Sequence, residues 1–164
     1  MINYKITPNP LAHEWHIRLT FRQEHDLETE ISLPNWVPGS YLIRDFSRHI
    51  TTILAFCNGE YAHLTQVKKN RWRTAPQSGE WEIYYTVYAY DLSVRGSFLT
   101  AERGFFDGAC LFLQVNGHEN STHQIEFPTL PKTWRIATTL PQTNVHSFQT
   151  TSYHDLIDHP VELG

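Results

Sequence analysis

Only two cysteines occur in 164 residues, Cys57 and Cys110. Neither belongs to a CxxC pair or a Cys-His cluster, so zinc-finger and dithiol redox motifs have no support. Each sits among apolar neighbours, as buried free thiols do. The chain also lacks any run of about eighteen apolar residues, the length a membrane-crossing helix needs. Its first ten residues, MINYKITPNP, are polar and do not read as a signal peptide. Cytoplasmic residence, with no membrane partner, is therefore the expectation. Basic blocks are missing too. The formal net charge is -4, and the densest basic stretch, Lys68 to Arg73, is short enough to be a solvated turn. Phosphate contacts need clustered Lys or Arg, so nucleic acid is not an expected partner. Nothing resembles a Gly-rich phosphate loop or a nucleophile elbow.

What is present is alternation. Trp15, Ile17, Leu19 and Phe21 fall on one face of a period-two pattern. Leu27, Thr29, Ile31 and Leu33 repeat it. Trp81, Ile83, Tyr85, Val87 and Ala89 do so again, with Tyr84, Tyr88 and Tyr90 opposite. Ile125 with Phe127, and Trp134, Ile136 and Thr138, add two more short strands, and Ala109–Val115 reads as a strand buried on both faces. Turn residues separate them: Asn58-Gly59, Ser78-Gly79, Asn116-Gly117 and Pro128 to Pro131. Many short strands with turns between them predict an all-β, mostly antiparallel, β-sandwich-like single domain over residues 1–164. Ser40–Thr51, with Pro38-Gly39 before it, and Thr151–Asp158 are the places for short helical turns.

Ten histidines invite a metal reading. His13 and His16 lie three apart in a strand-like stretch, which points them to opposite faces, and their spacing is not that of HExxH. His154, Asp158 and His159 read as exposed polar groups. No metal ligands and no catalytic residues are assigned.

Two charged pairs interrupt apolar surroundings: Arg44-Asp45 in NWVPGSYLIRDF, and Asp91 with Arg95 in YAYDLSVRGSF. Adjacent residues diverge in direction, so Arg44 and Asp45 do not satisfy one another. A partly buried unpaired charge costs several kcal/mol. The expectation is a clasp between the two segments, Asp45 with Arg95 or Arg44 with Asp91. A third stretch, Arg103-Gly104-Phe105-Phe106-Asp107-Gly108, brackets two aromatics and an acid with glycines, and can line a pocket mouth or fold inward as a hairpin.

Trp36 to Phe46, Tyr88 to Arg95, Gly104 to Phe112 and the closing Leu156 to Gly164, taken together, resemble the N-terminal region of the glycyl aminopeptidase family, zinc metallopeptidases that carry a PDZ domain. The resemblance implies a β-rich, non-catalytic N-terminal domain that packs on a thermolysin-like catalytic domain and helps form the substrate cleft. It implies zinc, HExxH and a peptide substrate for the parent enzyme, and no cofactor and no peptidase activity for this stretch alone. Residues 155–164 then read as a junction toward the catalytic domain. Asp107 is the candidate acceptor for a substrate's amino group, with Phe106 as a wall and Tyr41 beside them. An interface for the missing domain implies an exposed apolar patch around residues 40–46, 104–108 and the C-terminal tail, or self-association that covers it. The alternative is a stand-alone carbohydrate- or peptide-binding β-sandwich, with Trp36, Tyr41, Trp72, Trp81 and the Tyr84/Tyr88/Tyr90 row as an aromatic platform.

Overall fold

The structure is a computed structural model that describes residues 1–37 and 41–164; the Pro38-Gly39 turn expected from sequence lies outside the described residues. In chain order the strands are β1 (Ile2–Asn9), β2 (Glu14–Gln23), β3 (Glu30–Ser32), β4 (Ile50–Cys57), β5 (Glu60–Ala62), β6 (Leu64–Lys68), β7 (Arg71–Thr74) and β8 (Gly79–Tyr88). They continue as β9 (Ser97–Leu99), β10 (Gly104–Phe106), β11 (Gln114–Val115), β12 (His123–Glu126), β13 (Ile136–Thr138), β14 (Gln142–Asn144), β15 (Ser147–Thr150) and β16 (Val161–Leu163). A 3-10 turn (Phe46–His49) and two short helices, α1 (Gly108–Leu111) and α2 (Tyr153–Ile157), complete the chain.

An eight-stranded sheet in the order β14-β15-β12-β1-β2-β8-β4-β5 forms one layer. Two four-stranded sheets, β13-β16-β10-β9 and β11-β3-β7-β6, complete the set. The pairings are antiparallel except β1 with β12. The all-β, mostly antiparallel expectation holds. Alternation dictates which face is buried: Trp15, Ile17, Leu19 and Phe21 of β2 and Trp81, Ile83, Tyr85 and Val87 of β8 all point into the core. Their register pairs Trp15 with Val87 and Phe21 with Trp81, so the two strands lay one continuous apolar surface. The small sheets close on it. Trp15 meets Phe106 of β10 edge-on, with centroids 5.3 Å apart. Gly104 is required there, because a Cβ would lie 2.7 Å from the Trp15 ring.

Two sequence expectations need correction. Ala109–Val115 is not one strand: its start is α1, and only Gln114–Val115 pairs with β3. An apolar run of that length is equally compatible with a buried helical turn, and Asp107 decides the matter by capping it. The Leu27–Leu33 alternation yields only the three residues of β3. Residues 155–164 are built into the domain: Leu156, Val161 and Leu163 are fully buried, and β16 is held between β10 and β13.

The segment between α1 and β11 is irregular yet buried, so its carbonyls need donors. Three tyrosines supply them. The Tyr85, Tyr153 and Tyr4 hydroxyls donate to the carbonyls of Leu111, Phe112 and Leu113 at 2.9, 2.8 and 2.7 Å. Burial holds the phenol pKa values of all three well up, so they remain donors.

Beside them His123 is buried, with Nδ1 2.7 Å from the Ser121 carbonyl, an arrangement that places the proton on Nδ1. Burial lowers its pKa from 6.5, and burial likewise lowers those of His49 and His118. Below pH 6.5 the unfolded chain therefore binds more protons than the folded one, and stability falls as pH drops. Asp107, whose pKa burial raises, acts in the opposite sense between its folded value and 3.8. Asp26 and Glu119, whose pKa values are lowered in the fold, act in the same sense as the histidines at the acid end, so the melting temperature is expected to decline steadily from pH 7.5 to 5. A melting temperature that rises over that interval would contradict these assignments.

Candidate functional site

Where the 3-10 turn meets the far end of β8, the fold leaves a cavity of about 330 Å³, lined among others by Arg44, Asp45, His49, Asp91 and Cys110. Three of the four charged residues singled out from sequence therefore share one site. Asp45 precedes the 3-10 turn, and its carbonyl accepts from the Arg48 amide at 3.2 Å. Asp91 organises its own turn: Oδ1 accepts from the Ser93 amide at 2.9 Å, and the Gly96 amide donates to the Ser93 carbonyl. Gly96 packs so tightly on the Asp91 carboxyl that a Cβ would lie 2.9 Å from it. The turn is tied to α1 by the Asp107 amide on the Gly96 carbonyl, 3.0 Å, and the Cys110 thiol on the Arg95 carbonyl, 3.2 Å.

The clasp itself is not formed as expected. Among the described residues Asp45 pairs with Lys69 at 3.5 Å and accepts from Ser47 Oγ at 3.3 Å, so it does not meet Arg95. Nor is Arg44 with Asp91 among the ion pairs; Asp91 is committed to its turn, and Arg44 Nε is buried without a hydrogen-bond partner. Arg95 instead lies near Asp107, whose carboxyl feels its charge. The physical reason is local: an acid before a helical turn faces outward along the turn, where Lys69 reaches it.

Asp107 caps α1, accepting from the Ala109 amide at 3.0 Å. Burial raises its pKa, tempered by that amide, while Asp158 adds like charge. Phe106 is a correction: it is fully buried against Trp15, Phe112 and Phe127, so it walls no open cleft. Tyr41 is fully exposed, next to Leu42 and Ile43, which do line the cavity. The exposed apolar side chains at this end come from residues 41–43 and from Leu92 and Val94, whereas 104–108 are buried or half-buried and Leu156, Val161 and Leu163 of the tail are buried. His49 and Cys110 were missed by sequence reasoning. His49 has its pKa lowered by burial and then by Arg48, while Asp91 pulls the other way. The Cys110 thiol is held well above the ordinary range by burial and by Asp107 and Asp91, which makes it unreactive.

Among the described residues no group of three His, Cys, Asp or Glu is placed to hold a metal ion, so no zinc chemistry is built on them. His13 accepts the left-handed turn before β2 and bonds the Leu99 carbonyl, and His16 meets Glu14 at 3.0 Å. No helix among them is long and apolar enough to cross a membrane. Of the aromatic platform, Trp72 and Trp81 are core. Tyr84, Tyr88 and Tyr90 are part-exposed, but Tyr84 meets Phe56 edge-on and Tyr90 stacks on Phe98.

Comparison with known proteins places these features in context. The peptidase M61 N-terminal domain family matches residues 3–164. A solved aminopeptidase N family protein from Idiomarina loihiensis superposes with a TM-score of 0.95 at 38% identity, over 100% of this chain and 29% of that one. The chain thus spans less than a third of that protein's length. No functionally curated protein matches the sequence.

Proposed function

The chain belongs to the peptidase M61 N-terminal domain family, and on that footing we propose that it is the non-catalytic N-terminal domain of a zinc-dependent aminopeptidase of the glycyl aminopeptidase type. In this reading it packs on a catalytic domain that carries zinc, HExxH and a peptide cleft, in a cytoplasmic, PDZ-bearing parent. The end of the domain bearing Tyr41 and the Arg44/Asp91 cavity packs on the catalytic domain beside the cleft, which the packed pair helps to form. The observation that carries the reading is the match over nearly the whole chain, joined to a solved relative in which this unit is a minor share of a longer polypeptide. The catalytic steps belong to the parent: zinc supplies a polarised carbonyl and an activated water when bound. The residues of this chain supply a rigid wall and a charged rim. Asp107 serves that wall by fixing α1 and the 91–97 turn, rather than by receiving a substrate amine.

The test is turnover. The purified chain, incubated with zinc and with amides of glycine and alanine, is expected to release no amine above a metal blank. Measurable, protein-dependent hydrolysis would overturn the non-catalytic assignment.

A further inference from the structure

Arg44 is the unsettled charge of the cavity. Its Nε is buried without a hydrogen-bond partner, and the ion pairs among the described residues engage other arginines. A guanidinium is a fork of donors matched to a carboxylate. With Nε enclosed, the terminal nitrogens are the part an incoming group can reach. The neighbouring acids do not fill that role: Asp45 is held by Lys69 and Ser47, and Asp91 by its own turn. Arg44, Arg48, Asp45 and Asp91 all line the cavity, but both acids are already engaged, so no ion pair among the described residues holds Arg44.

The surroundings say what should bring a carboxylate to Arg44. Tyr41, Leu42 and Ile43 are 104%, 66% and 79% exposed beside the cavity, and Leu92 and Val94 are 72% and 79% exposed on the Asp91 turn. Large apolar side chains clustered at one end of a domain mark a contact surface. A permanently attached neighbour covers such a surface continuously, whereas a substrate that comes and goes does not. The solved relative is a longer polypeptide, of which this unit matches 29%.

We propose that this cavity is a carboxylate socket, in which Arg44 receives one acidic side chain from an apolar surface segment of the remainder of the peptidase. The inference rests on the domain reading given above, and names the contact through which the domain docks.

The experiment follows the Arg44 Nε–H resonance, which burial shields from exchange, in the isotope-labelled 164-residue chain. The probe is N-acetyl-Leu-Glu-Leu-amide, with N-acetyl-Leu-Gln-Leu-amide and the free-acid dipeptide Leu-Leu as controls. The expected result is a saturable shift with the Glu probe, at least tenfold weaker binding of the Gln probe, and weakening with added salt. Arg44→Met should abolish the shift of neighbouring amides while leaving the rest of the spectrum intact. Should that variant unfold, the Glu-against-Gln comparison on the unaltered chain still decides. Equal binding of Glu and Gln probes, tighter binding of the free-acid dipeptide, or no binding at all would each overturn the socket; the second would reassign the cavity to substrate. The domain reading fails separately, through turnover by the chain alone.

Discussion

Phe106→Ala is expected to lower the stability of the domain by about 3–5 kcal/mol, the range for truncating a fully buried aromatic. Phe106 is 0% exposed and sits among Trp15, Phe112 and Phe127, with ring centroids 5.3, 5.8 and 6.5 Å away. It is the point at which β10 of a small sheet meets β2 of the large one. Removing the ring opens a void that rigid neighbours cannot fill, because Trp15 is already confined by Gly104 and by its Nε1 bond to Ser97 Oγ at 2.9 Å. Domains of this size are held by only about 5–15 kcal/mol in total. Denaturant unfolding should therefore show the midpoint displaced by a large fraction of its unaltered value. A change within about 0.5 kcal/mol, typical of a surface position, would mean that Phe106 faces an open cleft after all.

The second large effect concerns the tyrosines that hold the segment from Leu111 to Leu113. Tyr4→Phe, Tyr85→Phe and Tyr153→Phe each leave the ring in place and delete one hydroxyl. The carbonyl it served loses a buried donor, which costs about 1–3 kcal/mol. The Tyr85 change also removes the acceptor of the Leu113 amide at 3.5 Å. The three sites converge on consecutive residues, so their effects should not add; once one carbonyl is released, the segment can shift to relieve the next. A double-mutant cycle between Tyr4→Phe and Tyr153→Phe, read by equilibrium unfolding, is expected to give a coupling energy of at least about 0.5 kcal/mol. Single substitutions without measurable cost would show that these carbonyls find other donors.

Much of this fold could be read from the residue pattern. Trp15 to Phe21 and Trp81 to Val87 alternate cleanly because one face of each strand meets the core and the other does not. The same logic failed at Ala109–Val115. There both helical and extended backbones bury every side chain, so periodicity carries no information; the capping acid at Asp107 was the usable signal. It also failed at Phe106, since a glycine-bracketed aromatic reads alike as a pocket lip or a packed core residue. Gly104 and Gly108 are needed for close packing, against Trp15 and the backbone of Ile157, rather than for an open loop.

The candidate site was legible in outline. Charges set among apolar residues did mark a place where two distant segments meet, and Arg44, Asp45 and Asp91 line one cavity. The pairing was not legible, because the partner of Asp45 is a lysine in the turn between β6 and β7, and nothing in the local sequence of either residue announces the other. Cys110 is brought in by tertiary packing, and His49 by the 3-10 turn that directly follows Asp45.

The central claim is that this domain is one part of a peptidase and presents its Arg44 end to the remainder. The most direct measurement is a chimera in which the chain replaces the matching share of the Idiomarina loihiensis protein, assayed for hydrolysis of glycine and alanine amides beside the unaltered relative. The chimera is expected to hydrolyse the same amides as the relative and to unfold as one unit. An active relative beside a soluble, folded but inactive chimera whose two parts melt independently would contradict the account.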